Sequence, residues 1–397
     1  MNKYAFSIAA LPELIFAEGS LMQLPELILR YGKQALFVTG SKSFCRSASW
    51  KSLQEMLARH NINWQQLSVS GEPSPQLIDE VVNKFRHQHI DVVVGIGGGS
   101  VLDASKAIAG LLPFGNSVLD HLEGVGKGIE YHGPALPYIA VPTTAGTGSE
   151  ATKNAVLSVQ GEGGYKKSFR HNSLVAKVAL LDPELLQTCT PELIAAQGMD
   201  AFTQLMESYV STRANPYCDA LALSGLQAFN QGFWHAWKGG EGEDARAGRA
   251  AMHYAAYLSG VTLAQVGLGS VHGLASPLGA FFPIPHGVVC GTLVAVATEV
   301  NIRALRTRQP GSLALEKYAD IGRLLTAQAL TDEEACNTLV ELLTQWSETL
   351  RLPRLSDYDV GESDIERIVA NSRGNSMLTN PLVLTDDEVA EIVRRRL

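Results

Sequence analysis

Charge is scarce in this chain and unevenly missing. Only 18% of its 397 residues are Asp, Glu, Lys or Arg, against about 25% in an average soluble domain, and from Ala250 to Thr298 there is none at all. What charge remains runs acidic, 32 basic against 40 acidic side chains for a net of −8, which removes the basic face that nucleic acid or an anionic membrane would need. Cysteine is sparse too. Cys45, Cys189, Cys218, Cys290 and Cys336 are odd in number, scattered and without a CxxC pair, so neither a disulfide framework nor a thiolate zinc cluster is expected, and a reducing cytoplasm fits. An unbroken apolar run is also lacking. Gln265, Gly267, Gly269, Ser270, His272, Ser276, Pro277, Pro283, Pro285 and His286 interrupt the charge-free stretch, so buried soluble structure is expected there and no membrane span. At the start, Lys3 and the short run Ala5 to Leu11 meet Pro12 and Glu13 with no cleavage-site pattern, and no secretory leader is expected.

The length predicts two domains. In the first half, β-branched runs at Ala35 to Thr39, Val92 to Gly95, Tyr138 to Val141 and Val178 to Leu181 alternate with helical patterns such as Leu77 to His87. That alternation predicts an α/β domain with a mostly parallel sheet covered by helices. After Asp182-Pro183 the texture becomes helical, with Pro191-Glu192 opening one helix, Asn215-Pro216 dividing two more, and Thr385 to Glu388 forming a capping box. Lys238 to Gly242 reads as a surface loop. The expected organisation is thus an α/β domain over residues 1–183 and an all-α domain over 184–397.

Two glycine-rich turns follow strands. Gly95 to Ser100 (GIGGGS) leaves an apolar strand and opens a helix, where glycines permit a tight turn and let a phosphate approach the amides at the favourable end of the helix dipole. Ser100 stands at the third glycine position of GxGxxG, and no Gly-Lys-Ser/Thr follows. Val141 to Glu150 (VPTTAGTGSE) packs Thr143, Thr144, Thr147 and Ser149 with two glycines. Two such turns at strand ends of one parallel sheet predict a dinucleotide at its carboxyl edge. The turn after the first clear strand, Gly40-Ser41-Lys42, carries no carboxylate for a ribose 2′-hydroxyl, so NADP is admitted beside NAD.

Asp200 and Gln204 stand four apart at the start of a helix and share one of its faces. His272 and His286 lie in the charge-free stretch among Gly and Pro turns. A carboxylate on an apolar helix, with imidazoles and no cation nearby in sequence, predicts a buried divalent metal.

With these residues in view, the chain resembles the iron-containing, or group III, alcohol dehydrogenases. The resemblance rests on GGGSxxDxxKA at Gly97 to Ala107, PTTAGTGSE at Pro142 to Glu150, GMDA at Gly198 to Ala201, and HGLAxPLGAFFPIPHG at His272 to Gly287, and extends over nearly the whole chain. It implies a dinucleotide-binding α/β domain, a helical domain and a catalytic metal between them. It makes Asp200, His272 and His286 metal ligands and sets the diphosphate on the Gly97, Gly98, Gly99 and Ser100 turn. It further implies Asp103 toward the nicotinamide, Thr143, Thr144 and Thr147 along the cofactor, and Lys167 on its ribose, while Gly40 and Ser41 are expected beside the cofactor from the open turn after the first strand alone. This sequence departs from the family pattern at two places. Gln204 replaces a histidine ligand, leaving an amide oxygen as the expected fourth donor, and Ser276 replaces a histidine one turn after His272, so a proton relay through Ser276 would pass by way of water or the ribose.

The expected activity is NAD(P)-dependent interconversion of a small primary alcohol and its aldehyde, catalysed around His272, His286 and Ser276 with iron, zinc or manganese. Phe202, Phe281 and Phe282 are candidates for the pocket wall. Two alternatives are a metal-independent reductase of an oxo acid, with Arg170, His171 and Arg373 as anion contacts, and a dinucleotide-binding protein without catalysis. A homodimer or larger homo-oligomer is implied by the resemblance.

Overall fold

The computed structural model describes residues 4–41 and 43–397. Its first part contains β1 (Glu13–Phe16), α1 (Leu24–Leu29), β2 (Gln34–Gly40), α2 (Ala48–Arg59), β3 (Asn63–Val69), α3 (Pro75–Phe85), β4 (Val92–Gly97), α4 (Gly99–Leu111), β5 (Tyr138–Pro142), β6 (Asn154–Val159), β7 (Tyr165–Arg170) and β8 (Val178–Leu181). Six strands pair in parallel in the order β1-β8-β5-β4-β2-β3, while β6 and β7 form a separate antiparallel hairpin.

The sheet is buried on both faces, which is why its central strands are nearly continuous apolar runs. Alternate side chains divide between two cores. Leu36, Val38 and Val93 meet α3 and α4 on one face, and Ala35, Phe37, Val92, Val94 and Ile96 join residues of α1 and α2 on the other. The four expected strands are all present as β2, β4, β5 and β8, and the expected helix from Leu77 is α3.

Strand order fixes where a ligand can sit. The chain runs from β2 outward to β3, returns to β4 on the other side of β2, and continues to β5 and β8. The winding reverses between β2 and β4, opening a crevice at their carboxyl ends, the place where open α/β sheets take ligands. The turns after β2, β4 and β5 all meet that edge.

Everything after β8 is helical among the described residues: α5 (Pro191–Val210), α6 (Pro216–Lys238), α7 (Glu243–Val266), α8 (Ser270–Phe281), α9 (His286–Arg308), α10 (Leu313–Thr326), α11 (Asp332–Thr349), α12 (Ile365–Asn371) and α13 (Asp386–Arg394), with short 3₁₀ turns. Thr190 and Asn215 cap α5 and α6 through side-chain oxygens, and Thr385 with Glu388 closes a capping box on α13. Of the expected Lys238 to Gly242 loop, Lys238 ends α6 and Gly239 to Gly242 form the α6–α7 connection, turned by Gly239 at φ +70°.

The charge-free stretch forms most of α7, all of α8 and the first half of α9. By length and composition α9 is the one helix among the described residues apolar enough to cross a membrane, yet 83% of its most apolar window is buried inside the fold. It packs on α5, α8 and α11, and its hydrophobicity is that of a central core helix.

Candidate metal and cofactor site

Three helices bring four donor atoms together. Asp200 lies in the middle of α5, His272 in the first turn of α8, and His286 and Cys290 are i and i+4 at the start of α9, on one face of that helix. One donor atom from each lies within 4.8 Å of all the others. His272 Nε2 is 3.2 Å and His286 Nε2 3.7 Å from Asp200 Oδ1, and Cys290 Sγ is 3.6 Å from His272 Nε2 and 3.7 Å from His286 Nε2.

Electrostatics marks this as a place prepared for a cation. Asp200 is wholly buried, and its second oxygen, Oδ2, has no hydrogen-bond partner among the described residues. Burial opposes its charge, but the His286 and His272 imidazoles outweigh that and hold its carboxyl down at about 2. An ionised carboxylate with a bare oxygen in an apolar interior is costly unless a positive charge completes it. Burial pushes His286 down to about 4 and the Cys290 thiol up to about 12. His272 is raised well above its ordinary value: burial works against its charge, but the neighbouring sulfur and the Asp200 and Glu207 carboxylates prevail. The residues therefore fit a divalent metal, which would take the place of the proton His272 holds, with two imidazole nitrogens, a carboxylate oxygen and a sulfur converging on one point.

The cofactor side is built from two touching turns. Gly97 and Pro142 are paired in the β4–β5 register, and Thr143 N donates to Gly97 O at 3.0 Å. A Cβ on Gly99 would lie 2.7 Å from Thr147 Cγ2, and one on Gly98 would lie 3.3 Å from Thr144 Oγ1. Gly98 is the N-cap of α4 and places no side chain over the helix's first amides. The second turn also leans on the helical part. Gly146 abuts Gln197 of α5, Gly148 abuts Gly260 of α7, and Ser259 Oγ lies 3.4 Å from Gly146 O and 2.7 Å from Gln204 Oε1. One hydroxyl thus joins the cofactor turn to the helix that carries Asp200.

Comparison with known proteins agrees with this geometry over the whole chain. Residues 12–183 match the family model for iron-containing alcohol dehydrogenase, and residues 194–397 match that for the C-terminal part of the Fe-containing alcohol dehydrogenase family. Alcohol dehydrogenase 4 of Saccharomyces cerevisiae is 32% identical over 390 residues, covering 97% of this chain and 96% of that protein. This chain belongs to the iron-containing alcohol dehydrogenase family. The NAD-dependent methanol dehydrogenase of Bacillus methanolicus is 29% identical, covering 97% of this chain and 98% of that protein. The crystal structure of a 1,3-propanediol oxidoreductase superposes with a TM-score of 0.88 at 28% identity, covering 99% of this chain and all of that one. The chain is accordingly an NAD(P)-dependent oxidoreductase interconverting alcohols and aldehydes.

Within this alcohol dehydrogenase the remaining expected site residues fall as follows. Gln204 is buried, but its amide nitrogen faces Asp200, donating to Oδ1 at 3.1 Å, while its oxygen is held by Ser259. Ser276 is half-buried on α8 with its hydroxyl 3.4 Å from Lys166 O. Asp103 accepts from Ser149 Oγ at 2.6 Å and from Val156 N at 3.2 Å, and lies 3.2 Å from Lys106 Nζ, tying the α4 helix to the second turn. Gly98, Gly99, Ser100, Thr143, Thr144 and Thr147 are half-buried along the crevice, Gly97 is buried, and Gly40 ends β2 with space beside it, followed by the exposed Ser41. Lys42 lies outside the described residues.

The lysine turned inward on β7 is Lys166, not Lys167. Neighbours on a strand face opposite ways, so Lys167 is exposed while Lys166 pairs with Glu72 at 2.5 Å, close enough to lower the His286 pKa. Phe202 is core, not pocket wall. It is fully buried, its ring 5.0 Å from Phe229 and 5.6 Å from Trp346. Phe281 and Phe282 are half-buried, with Arg367 stacked over Phe281. Arg170 pairs with Glu123, Arg373 with Asp386, and His171 with Ser173.

Two further residues of the site have a signal in their spacing along the chain. Glu207 stands seven after Asp200, two turns along the same face of α5, and its Oε2 is 2.7 Å from His272 Nδ1 while its Oε1 accepts from Val271 N. Cys290 stands four after His286 on α9.

Proposed function

We propose that this protein oxidises small primary alcohols, or reduces their aldehydes, in the crevice between the β4 and β5 turns and α5, α8 and α9. The observation that carries the reading is the convergence of Asp200, His272, His286 and Cys290 within 4.8 Å, with α5 also abutting the cofactor turn through Gln197 and linked to it by Ser259 of α7. When bound, NAD(P) supplies the hydride acceptor or donor, and a divalent metal supplies Lewis acidity toward the substrate oxygen.

The chain's own residues hold and orient. Gly97, Gly98, Gly99 and Ser100 present a helix N-terminus to the diphosphate, Thr143, Thr144 and Thr147 line the other wall, and the open Gly40–Ser41 turn admits NAD or NADP. Asp200, His272 and His286 hold the metal, iron or zinc by their mixed oxygen and nitrogen character. Glu207 fixes the tautomer of His272 by accepting from Nδ1–H, leaving Nε2 free to ligate. Asp103 positions the second turn at the nicotinamide side. Ser276 passes a hydrogen bond at the mouth.

The division into residues 1–183 and 184–397 is proposed from the last strand ending at Leu181. A cytoplasmic location is proposed on the five free cysteines. A homodimer is proposed on the edge strand β1, which among the described residues pairs on one side only, with β8, and leaves Leu14 and Phe16 exposed.

The test is direct. Purified protein reconstituted with iron(II) or zinc is assayed against a panel of primary alcohols and aldehydes with each cofactor. Turnover dependent on the metal supports the reading. Inactivity toward every member, or full activity in chelator, overturns it.

A further inference from the structure

The family's metal site uses a histidine where this chain has Gln204, and the fold brings a different atom into position to complete the set. We propose that Cys290 is a metal ligand here, so that the centre is built from one carboxylate, two imidazoles and one thiolate. The inference rests on the functional reading above, which requires a metal, and adds the identity of its fourth donor.

Distances carry the argument. A tetrahedral zinc-type centre with metal–nitrogen and metal–oxygen bonds of about 2.0–2.1 Å and a metal–sulfur bond of about 2.3 Å has edges of about 3.3 Å between nitrogen and oxygen and about 3.6 Å between nitrogen and sulfur. The edges found are 3.2 Å (His272 Nε2 to Asp200 Oδ1), 3.7 Å (His286 Nε2 to Asp200 Oδ1), 3.6 Å (Cys290 Sγ to His272 Nε2) and 3.7 Å (Cys290 Sγ to His286 Nε2). Four measured edges thus lie within a few tenths of an ångström of those that one small cation would impose. Gln204 offers no such corner. The end of its amide toward the centre is the nitrogen, which donates to Asp200 Oδ1 at 3.1 Å, while its oxygen accepts from Ser259 at 2.7 Å, so it would reach a cation only by turning the amide over and giving up both bonds.

A second observation, independent of the cysteine, also points to a ligand. The wholly buried Asp200 lends Oδ1 to the edges above and keeps its other oxygen, Oδ2, without a partner among the described residues, so the charge of the carboxylate is left for a cation to complete. Of the four corners His286 is the most open, its side chain 26% exposed against 6% for His272, so a substrate oxygen approaches from that side. Metal binding by the thiol releases its proton to solvent and forms a sulfur–metal bond without any change of oxidation state. A thiolate in place of a neutral donor softens the set and adds a negative charge, which favours zinc and cobalt over manganese.

Cobalt(II) reads this directly. The full-length protein, kept reduced, is loaded with cobalt(II) and its spectrum recorded. The expected result is one equivalent of cobalt per chain with an intense near-ultraviolet thiolate-to-cobalt charge-transfer band, absent in Cys290→Ser and retained in Gln204→Leu. The other cysteines sit elsewhere, Cys45 at Gly40, Cys189 at Thr143, and Cys218 and Cys336 outside the cluster, so the band reports Cys290. Cys290→Ser should also weaken cobalt binding by about 100-fold. One equivalent of cobalt without the band overturns the assignment, and so does a band that survives in Cys290→Ser. The wild-type spectrum stands even if the variant fails to fold. Alcohol oxidation followed on the same samples separates the two readings: a band without turnover leaves Cys290 as ligand and removes the proposed function, whereas turnover with bound cobalt and no band removes only the ligand.

Discussion

The imidazole of His272 lies between two carboxylates of the same helix, with Nδ1 2.7 Å from Glu207 Oε2 and Nε2 3.2 Å from Asp200 Oδ1. Asp200 and Glu207 are seven apart on α5, so one helix both contributes a metal donor and orients the histidine of its neighbour. Glu207→Gln preserves the shape and removes the charge. The expected outcome is a metal affinity lower by about 10- to 100-fold, measured by competition against a chromophoric chelator, with the cofactor's Kd unchanged. An unaltered metal affinity would remove Glu207 from the site.

Gly99 and Thr147 set the width of the cofactor crevice. A methyl on Gly99 would meet Thr147 Cγ2 at 2.7 Å and Oγ1 at 2.8 Å, whereas one on Gly98 meets Thr144 no closer than 3.3 Å. Gly99→Ala should therefore raise the KM for NAD(P) by about tenfold or more, and Gly98→Ala by less. Thr147→Ala in the Gly99→Ala background removes both offending atoms and should restore part of the loss. Steady-state kinetics with cofactor as the varied substrate gives the ranking, and equal effects of the two alanines would contradict it.

Much of this was legible in the chain because the relevant signals are local. β2, β4, β5 and β8 are apolar runs, since burial on both sheet faces demands it, and the caps at Thr190, Asn215 and Thr385 follow from residue type alone. β3 was not legible. NWQQLSV is an edge strand, largely open to solvent, and gains its extended form from pairing with β2. The β6–β7 hairpin has short strands with mixed polarity, and without it the facing of Lys166 and Lys167 could not be assigned. Asp200, His272 and His286 stood out by chemistry. Cys290 did not, because a lone cysteine in an apolar segment reads as core until helix α9 is seen to place it one turn from His286. Phe202 shows the converse: its nearness to Asp200 in sequence turns it to the opposite side of α5, into the Phe229–Trp346 cluster.

Lys106 is the pin between the two glycine turns. It is fully buried, and its Nζ donates to Ser149 O at 2.9 Å, Thr152 Oγ1 at 2.8 Å and Asn154 O at 2.6 Å, beside Asp103 at 3.2 Å. Burial lowers its pKa, with Asp103 pulling the other way. Lys106→Met keeps the length and leaves a carboxylate and three oxygens without their cation, so a loss of about 3–5 kcal/mol is expected in urea unfolding. Because the second turn is what Lys106 anchors, any variant that still folds should show a raised KM for cofactor with its metal content intact.

His253 makes the most distinct prediction about pH. It sits in α7 with neither ring nitrogen paired among the described residues, and burial pushes its pKa down to about 3. In the unfolded chain the same imidazole titrates near about 6.5. Between those values the unfolded state takes up a proton that the folded state refuses, so stability falls as pH drops from about 6.5 toward about 3. His253→Leu removes both the titration and two unpaired polar atoms, while filling much of the same volume beside Phe16. The variant is expected to be as stable as the parent or more so at neutral pH, by up to about 2 kcal/mol, and its advantage should grow by roughly 2 kcal/mol on acidification to about pH 5. Thermal melts of both proteins in the metal-free state across that range check the slope. A variant that loses stability at neutral pH and parallels the parent in acid would mean that His253 is paired in solution.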